Sequence, residues 1–386
     1  MHSLYLPLKD KEYSVLAANK KYIAHKFSLD LEVVSRWVRE KKSIPLYIFK
    51  DLFGHKKLLD LLDKRKIHAA RGRKGVLCRT NINPEIAYLI GLVCTDGYLS
   101  RKHQKIQITQ KNYAFLKLVA KLIERNFKIQ RNTITLEKTG VSKLYVYSLP
   151  LEFIFSKLYN IPEGKKGEFQ VPTIIKNNNI EIVAAFLAGV FDGDGSVSVN
   201  DKEYFERPKV GIFGASKEFM LDCLNLLKYL KIEAHLYFSK GVWRINVNKI
   251  EDISKIFFII APYILLERKR ERFRQLLAQR RCLELIRVPY SHKIKSLLKK
   301  AWKKLGGRKY LLKFINLYLT KKIKLSTLSD WVCGRYPAPL IVIIKLCDLL
   351  EKDILDYIPN YQSVVLLAQK LIPNKCIKEV RKPFKG

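Results

Sequence analysis

Acidic residues are scarce in this 386-residue chain, where 35 Asp and Glu face 73 Lys and Arg and give a formal net charge of +38 at pH 7. Such an excess of positive charge repels itself unless a polyanion is near, so the composition indicates a nucleic-acid, ribosomal or anionic-membrane partner. With 48% hydrophobic residues, including 20 Tyr and 19 Phe, the chain can still bury real cores. A disordered basic tail is therefore excluded.

Long hydrophobic runs are also missing. No uncharged apolar run reaches the ~18 residues that a membrane-spanning helix needs, and the start, MHSLYLPLKDKEYS, lacks the apolar core of a secretory signal. The 7 cysteines are scattered without a C-x-x-C pair, which argues against a zinc module and a disulfide framework. We therefore expect no membrane partner and a reducing cell interior, in the cytoplasm, an organelle or an archaeal cell.

One nine-residue phrase occurs twice, as LIGLVCTDG at Leu89–Gly97 and as LAGVFDGDG at Leu187–Gly195. In each copy a short apolar helix with small residues on one stripe runs into an acid followed by glycine, which we expect to stop the helix in the left-handed conformation. The acids, Asp96 and Asp194, are 98 positions apart. Two equivalent helices that end in equivalent carboxylates indicate a pseudo-twofold site where two acids meet.

The same order of elements follows each phrase. Asn83 and Asn179 are expected to cap the motif helices, while residue alternation predicts strands and spacing of three and four predicts further helices. The first half contains a strand at Lys105–Gln110, a helix at Asn112–Phe127, a hairpin at Thr133–Leu136 and Lys143–Tyr147, and a helix at Pro150–Tyr159. The second half contains a strand at Lys209–Phe213, a helix at Lys217–Leu230, a hairpin at Glu233–Phe238 and Val242–Val247, and a helix at Ile250–Ile260. The repetition indicates an internal duplication of about 100 residues.

The two motifs, their separation and the matching element order resemble the monomeric, two-motif LAGLIDADG homing endonucleases over residues 81–285. The resemblance implies an α+β fold of two pseudo-symmetric αββαββα repeats. In that family the motif helices pack at the pseudo-dyad, and the antiparallel sheets form a saddle over the DNA major groove. Gly91 and Gly189 suit this role, because small residues let two helix backbones approach closely.

The paired acids are the candidate metal ligands. A carboxylate at a helix C-terminus faces the unfavourable end of the helix dipole, and two such carboxylates side by side repel each other. A divalent cation relieves both costs, which favours Asp96 and Asp194 as ligands of Mg²⁺, with Mn²⁺ as a substitute. A single Asp-Gly pair often makes only a turn, but equivalent pairs at both helix ends favour the metal site.

The resemblance implies further residues beside the metals. Gln110 and Lys111, at the end of a strand, would position a water and offset phosphate charge, the alternative being an ordinary polar strand end. The second half has Phe213-Gly-Ala-Ser-Lys217 at this point and no glutamine, so Ser216 or Lys217 would have to serve. The two DNA strands would then be cut at different rates.

Lys166 and Lys269 are the candidate lysines near the scissile phosphates, with a solvated basic surface as the alternative for each. The motifs also differ from one another, because the first has Cys94 where the second has Asp192. The family usually carries an acid at this position, and the metal-binding acid is the later one. We interpret Cys94 as a packed, inert thiol.

Strand alternation predicts the surface that faces DNA. If Leu144 and Val146 in the first half, and Ile245 and Val247 in the second, point into the core, their neighbours point outward, where polar side chains can read base edges. The predicted DNA-binding residues of the two sheets are Arg131, Thr133, Thr135, Lys143, Tyr145, Tyr147, Arg244 and Asn246.

A second duplication flanks the core. The pattern Ser-x-Trp-Val, with Pro-Leu following, occurs at Ser35–Leu46 and again at Ser329–Leu340 with the same spacing. Helical segments surround each copy, which resembles helix-turn-helix domains of the repressor type, with Ser35 and Arg36 facing the groove. The alternative is a small helical bundle that packs on the core without touching DNA. The expected domains are a helix-turn-helix-like domain (1–62), a basic linker (63–80), two repeats (81–178 and 179–285), a second all-α helix-turn-helix-like domain (286–360) and a tail (361–386).

The leading hypothesis is a site-specific homing endonuclease that binds a long asymmetric double-stranded DNA target as a monomer and hydrolyses both strands with Mg²⁺. The alternative is a non-cleaving protein on the same scaffold, either a DNA-binding regulator or an RNA-splicing maturase with RNA as its partner. Both motif acids are kept, which favours the nuclease, whereas the flanking helical domains favour the regulator. Because the ends carry no terminal nucleophile or His-Asn pair, we do not expect a splicing intein.

Overall fold

The computed structural model of the protein describes residues 4–62, 64–69, 75–129, 134–137, 141–198, 209–278, 280–319 and 321–359. The chain divides into two compact units. The first comprises the described residues of Met1–Asp194, Phe213–Leu226 and Phe238–Trp243, and the second those of Gly195–Ile212, Leu227–Tyr237 and Arg244–Gly386. Both motif helices, with both motif acids, belong to the first unit.

The N-terminal region is helical, as the sequence predicts, but also contains short strands that the sequence does not reveal. Its helices are α1 (Asp10–Ala18), α2 (Lys20–Lys26), α3 (Leu31–Arg39), α4 (Leu46–Phe53) and α5 (His55–Leu62). Its strands are β1 (Leu4–Leu6), β2 (Ile44–Pro45), β3 (Lys66–Ala69) and β4 (Val76–Leu77), in the order β2-β1-β3-β4. Asp30 caps α3 by accepting a 2.8 Å hydrogen bond from the backbone N–H of Glu32.

The first repeat follows with the predicted order of elements. It contains α6 (Pro84–Asp96), β5 (Gly97–Ser100), β6 (Lys105–Gln110), α7 (Tyr113–Phe127), β7 (Ile134–Glu137), β8 (Ser142–Tyr147) and α8 (Leu149–Phe153), which continues into a π-helical turn at Ile154–Leu158, and then α9 (Thr173–Lys176). Asn83 caps α6 by accepting a 2.8 Å hydrogen bond from the backbone N–H of Ile86. Asn112 caps α7 in the same way, by accepting a 3.1 Å hydrogen bond from the backbone N–H of Phe115. The strands form an antiparallel sheet in the order β5-β6-β8-β7.

The second repeat has the same order, so the predicted duplication is confirmed. It contains α10 (Ile180–Asp194), β9 (Gly195–Ser198), β10 (Lys209–Gly214), α11 (Lys217–Tyr229), β11 (His235–Ser239), β12 (Val242–Val247), α12 (Ile250–Ile259) and a 3₁₀ turn at Ala261–Tyr263. Asn179 caps α10 through the backbone N–H of Ile182 at 3.0 Å. The sheet order is β11-β12-β10-β9, so β9 and β10 sit together as β5 and β6 do.

The expectation that Gly97 and Gly195 end their helices in a left-handed conformation is wrong. Gly97 has φ −87° and ψ 151°, which is extended backbone, and each glycine is the first residue of a strand. Gly97 is required for a different reason. A methyl group added there would lie 2.6 Å from the Cα atom of Val93, so the chain turns directly from helix to strand in a space that admits no side chain.

The C-terminal region is mainly helical. It contains α13 (Glu267–Ala278), α14 (Arg280–Leu285), β13 (Arg287–Val288), α15 (His292–Lys304), α16 (Arg308–Asn316), α17 (Leu325–Cys333), β14 (Ala338–Pro339), α18 (Leu340–Leu350) and a 3₁₀ turn at Ile354–Asp356. The duplicated phrase has the same setting at both ends of the chain. Pro45 pairs with Tyr5, and Pro339 with Arg287, and each proline directly precedes a helix that buries apolar residues, α4 or α18. In the part of the chain described here, every helix is too short or too polar to cross a membrane.

Candidate catalytic site

The two motif helices, α6 and α10, contact each other backbone to backbone. A methyl group added at Gly91 would lie 2.1 Å from the carbonyl oxygen of Phe186, and one added at Gly189 would lie 2.1 Å from that of Tyr88. Because Tyr88 and Phe186 are the residues directly before the two phrases, and are therefore equivalent, the contacts are reciprocal. The glycines therefore hold the helices at a distance that any larger side chain would increase.

The last turns of the two helices differ, and the structure explains one of the differences. Thr95 of α6 faces Gly193 of α10, the residue at the equivalent position. A methyl group at Gly193 would lie 2.0 Å from Thr95 Oγ1. The Thr95 hydroxyl bonds to the carbonyl of Leu92, at 3.0 Å, within its own helix. Only one of the two positions can carry a side chain, so a threonine on one helix requires a glycine on the other.

The difference between Cys94 and Asp192 follows the same logic. Asp192 is fully buried, and its Oδ2 accepts a 2.6 Å hydrogen bond from the hydroxyl of Tyr88 on the other helix. The pseudo-twofold counterpart of this pair is Phe186 and Cys94, in which neither residue is charged. The buried carboxylate of Asp192 is thus paired with a hydroxyl that can donate to it, whereas the buried thiol of Cys94 is matched with Phe186, which has no polar group. Burial and the neighbouring carboxylates of Asp192 and Asp96 raise the pKa of Tyr88 well above its usual value.

Cys94 is buried, and burial raises the pKa of its thiol to about 12. A thiol with that pKa stays protonated near neutral pH, which agrees with the interpretation of Cys94 as an inert packing residue. Tyr88 was not singled out by the sequence. The signal was present, however, in an alignment of the two motif helices at a spacing of 98 residues. The first helix has Tyr88 and Cys94 where the second has Phe186 and Asp192.

The motif acid of the first half, Asp96, is the last residue of α6 and is half-buried. Its Oδ2 accepts a 3.0 Å hydrogen bond from Nε2 of Gln110, at the end of β6. The other amide atom of this glutamine, Oε1, accepts from the backbone N–H of Lys111 at 2.9 Å. The Lys111 side chain is exposed. Both the nitrogen and the oxygen of the Gln110 amide are therefore hydrogen-bonded, and the nitrogen is bonded to Asp96, the predicted metal ligand.

Lys166 lies beside both motif acids. Its Nζ donates hydrogen bonds to the carbonyl oxygens of Val93, at 2.7 Å, and Thr95, at 3.0 Å. These carbonyls belong to the last turn of α6, where a cation is favoured by the helix dipole. Burial lowers the pKa of Lys166, and the carboxylates of Asp194 and Asp96 oppose that shift. One ammonium group thus lies within electrostatic reach of both acids, which brings three of the predicted site residues together.

The second half has no counterpart of Gln110. Both Asn112 and Ser216 cap the helix that follows, so counting back from these caps places Gly214 where the first half has Gln110. A methyl group at Gly214 would lie 2.8 Å from the sulfur of Met220. Ser216 is buried and bonds to Glu168 and to the backbone of Phe169. The hydroxyl of Ser216 therefore already caps α11 and bonds to its neighbours.

The remaining candidates lie on several elements. Lys217 Nζ is 5.3 Å from the ring centroid of Trp243, a cation–π contact. Lys269, in α13, is buried, with 7% of its surface exposed. Ser35, half-buried, and Arg36, exposed, lie in the middle of α3. Of the two candidate lysines near the scissile phosphates, Lys166 lies in the same unit as the motif acids and Lys269 lies in the other unit.

The outward face of the first sheet is a cross-strand surface of tyrosine, lysine and threonine. Thr135 pairs with Tyr145 and is exposed, and Lys143 pairs with Thr109 of β6. Tyr145 is 8% exposed because Tyr147 stacks on it, with centroids 6.0 Å apart, and Lys105 Nζ lies 4.6 Å from its ring. Tyr147 remains 49% exposed. Arg131 and Thr133, also predicted for this face, lie outside the described residues.

In the second sheet, Ile245 and Val247 are buried, as the alternation predicts. Arg244 is half-buried, and Asn246 is 5% exposed. The side-chain amide of Asn246 is hydrogen-bonded to the hydroxyl of Tyr237. Asn246 is therefore held in place by the protein itself, unlike the exposed Thr135 and Tyr147 of the first sheet.

The donor set fits a divalent metal that draws ligands from a substrate. Asp96 and Asp194 contribute carboxylate oxygens, which Mg²⁺ and Mn²⁺ prefer. Within the described residues, no group of three or more His, Cys, Asp and Glu side chains could hold a metal by itself. Two acids at adjacent helix ends, with a bonded glutamine and a lysine nearby, therefore leave coordination positions for water and for oxygens of a bound molecule.

A family model described as a LAGLIDADG-like domain matches residues 83–181 and 181–261, which are the two repeats. Each of the two repeats of this chain is therefore similar to the LAGLIDADG-like domain. The homing endonuclease I-DmoI in complex with DNA and Mn has a TM-score of 0.35 at 19% identity, over 46% of this chain and 97% of that chain. I-WcaI bound to its DNA recognition sequence has a TM-score of 0.38 at 17% identity, over 57% and 96%.

Curated relatives match only through a small part of their length. The ribonucleoside-diphosphate reductase NrdEB subunit alpha of Bacillus subtilis (strain 168) is 28% identical over 153 residues, which is 36% of this chain and 14% of the relative. The glutamine–fructose-6-phosphate aminotransferase of Methanocaldococcus jannaschii is 22% identical over 247 residues, which is 62% of this chain and 19% of the relative. Since these relatives have unrelated named activities, none of those activities is transferred to this chain.

Proposed function

We propose that the protein is a site-specific endonuclease that hydrolyses double-stranded DNA with Mg²⁺, for which Mn²⁺ can substitute. One observation carries the proposal: Asp96 and Asp194 end two helices that the reciprocal glycine contacts hold together, and Lys166 lies within reach of both acids. Similar chains in complexes with DNA and Mn, and with target DNA, point to the same substrate class.

We propose a separate role for each residue of the site, based on its contacts. Asp96 and Asp194 bind the divalent ion, which would stabilise charge on the scissile phosphate and promote ionisation of a water. Gln110, bonded to Asp96, keeps that carboxylate oriented and presents its amide to the attacking water. Lys166 places a positive charge beside the two acids and offsets phosphate charge, while the exposed Lys111 contacts phosphate at the edge of the site. Lys269 is assigned the corresponding phosphate role in the second half.

The same asymmetry that distinguishes the two halves predicts an asymmetric DNA target. The first half has Gln110 where the second has Gly214, and the outward residues of the two sheets differ. We assign base-edge and phosphate contacts in the grooves to Thr135, Lys143, Tyr145, Tyr147 and Arg244, with Arg131 and Thr133 on the same predicted face. Asn246, which is buried and bonded to Tyr237, would have to break that bond to reach a base. A formal charge of +38 supplies the non-specific attraction to the DNA backbone.

Two short helices and a tight turn in the N-terminal region form the proposed helix-turn-helix unit. Helix α2 is followed by a four-residue connection and by α3, which presents Arg36 and Arg39 to solvent. We assign Ser35 and Arg36 to DNA contacts beyond the core target. The C-terminal counterpart, α17, has Asp330 in place of Arg36, and this acid is paired with Arg335 at 3.2 Å. We therefore assign sequence reading to the N-terminal copy.

A non-cleaving regulator or RNA maturase is the second candidate, and the duplicated flanking regions favour it. The distinguishing experiment is incubation of the purified protein with supercoiled plasmid that carries the DNA flanking its gene, with and without Mg²⁺. Nicked and linear product that depends on Mg²⁺ supports the nuclease. Sequence-dependent binding of the same DNA without any product supports the regulator, and preferential binding of a structured intron RNA supports the maturase.

A further inference from the structure

An aromatic pair lies at the tip of the β11–β12 hairpin, with an exposed Phe238 beside a half-buried Trp243. Phe238 has 58% of its surface exposed, and its ring centroid is 5.1 Å from that of Trp243. Lys240 and Gly241 make the turn, with φ of 53° and 77°, the left-handed conformation that a two-residue hairpin turn requires. A turn this short presents the two rings at the end of a rigid hairpin.

The hairpin tip lies at the end of the sheet where the second motif acid is found. Gly195, which directly follows that acid, pairs with Ile212 near the end of β10. Lys217, at the start of the next helix, has its Nζ 5.3 Å from the ring centroid of Trp243, which places the start of β12 beside the end of β10. The aromatic pair, Lys217 and the second motif acid all belong to the same compact unit, which is where the chemistry of the second half is proposed.

The first half is built differently at this point. Counting from the buried strand pairs, Leu144 and Val146 against Ile245 and Val247, Trp243 corresponds to Ser142. Ser142 is buried and pairs with Gln110. The first half thus combines a glutamine with a small polar residue, whereas the second half has a glycine in place of the glutamine and carries the exposed ring of Phe238 beside the half-buried Trp243.

We propose that Phe238 and Trp243 form a stacking platform for nucleobases that leave the duplex stack next to the scissile step of the second half. Exposed aromatic rings stack with any base, since every base has a π-face, and apolar side chains inserted at a base step kink the duplex. Lys217 and Lys240 provide the positive charge that holds the flanking phosphates. The platform rests on the proposed function, because it takes DNA to be the bound polymer.

The test measures binding in the absence of metal, so that it does not depend on cleavage. Two DNA duplexes are compared by fluorescence anisotropy in EDTA, identical except that one has a short central run of mismatched base pairs. The platform predicts tighter binding of the mismatched duplex by about tenfold, the usual effect of one stacked base. Phe238→Ala and Trp243→Ala are each expected to abolish that preference, and Phe238→Tyr to keep it.

Tyr229→Ala is the matched control, because Tyr229 is an aromatic residue of the same half with similar exposure, 53%, at the far end of α11. It is expected to leave the preference unchanged. An undiminished preference in both alanine variants would overturn the proposal, as would equal binding of the two duplexes by the wild type. A concentration-dependent dimer that Phe238→Ala dissolves would show that a second copy of the chain covers the rings instead. Failure to cut DNA would overturn the proposed nuclease activity. It would not decide the stacking platform, because the preference for the mismatched duplex is measured without metal.

Discussion

The side-chain amide of Gln110 donates a 3.0 Å hydrogen bond to the carboxylate of Asp96, and the second half has Gly214 at the position of this glutamine. Because partners of metal ligands orient them, Gln110→Ala is expected to slow cleavage by about 10- to 100-fold. The loss should fall mainly on one DNA strand, so that nicked plasmid accumulates over linear product.

Gln107→Ala is the control for that variant, since Gln107 lies in the same strand and bonds to Thr109 instead of the acid. It is expected to alter DNA affinity without changing the ratio of nicked to linear product. Equal slowing of both strands by Gln110→Ala would show that the glutamine does not act on one half-site.

The reciprocal glycine contacts predict that the helix pair tolerates no added methyl group. Gly91→Ala and Gly189→Ala would each place a carbon 2.1 Å from a carbonyl oxygen of the partner helix. Each is expected to lower the free energy of unfolding by about 1–3 kcal/mol or more, measured as a shift in the denaturant midpoint. Gly167→Ala, with no atom within 4 Å of the added carbon, should leave the midpoint unchanged. Similar shifts for all three would contradict the close packing.

The bond between Tyr88 and Asp192 predicts non-additive stability changes. Tyr88→Phe removes the hydroxyl that donates to a fully buried carboxylate and is expected to cost about 1–3 kcal/mol. The double variant Tyr88→Phe with Asp192→Cys recreates the Phe–Cys pair of the other half. Its unfolding free energy should fall by less than the sum of the two single changes, because both polar partners are then removed together. An additive result would show that the pair is not coupled.

Thiol reactivity tests the assignment of Cys94 as inert. A pKa raised to about 12 keeps the thiol protonated at pH 8 and at pH 9, and the thiolate is the reactive form. Mass-spectrometric mapping after iodoacetamide treatment of the native protein should find Cys94 unmodified at both pH values. The exposed Cys333 should be modified at both pH values. Comparable labelling of Cys94 and Cys333 would show that the site is open to solvent.

Much of the fold follows from local sequence signals. The caps Asn83 and Asn179 are found where the sequence places them, and Val242–Val247 has its predicted bounds. These features depend on neighbours in the chain. The strands β1 and β2 were not predicted because each has only two or three residues and is defined by its partner across the sheet.

The candidate site likewise contains some residues that local sequence signals predict and others that they do not. The two acids could be predicted because the duplication marks them, but the roles of their neighbours depend on distant contacts. Ser216 matched the glutamine region by position along the chain, yet it caps α11. Gly97 matched a left-handed helix stop, yet it is extended and confined by Val93. In both cases packing that the sequence does not display decides between two uses of the same residue.

Cleavage by variants of the two motif acids tests the central claim most directly. Supercoiled plasmid carrying the DNA that flanks the gene is incubated with Mg²⁺ and wild-type protein, Asp96→Asn or Asp194→Asn, and DNA binding is measured in parallel without metal. Loss of several kcal/mol of metal-based stabilisation predicts that each variant cuts on the order of 10³-fold more slowly while it binds DNA with unchanged affinity. Cleavage by either variant at the wild-type rate would contradict the account.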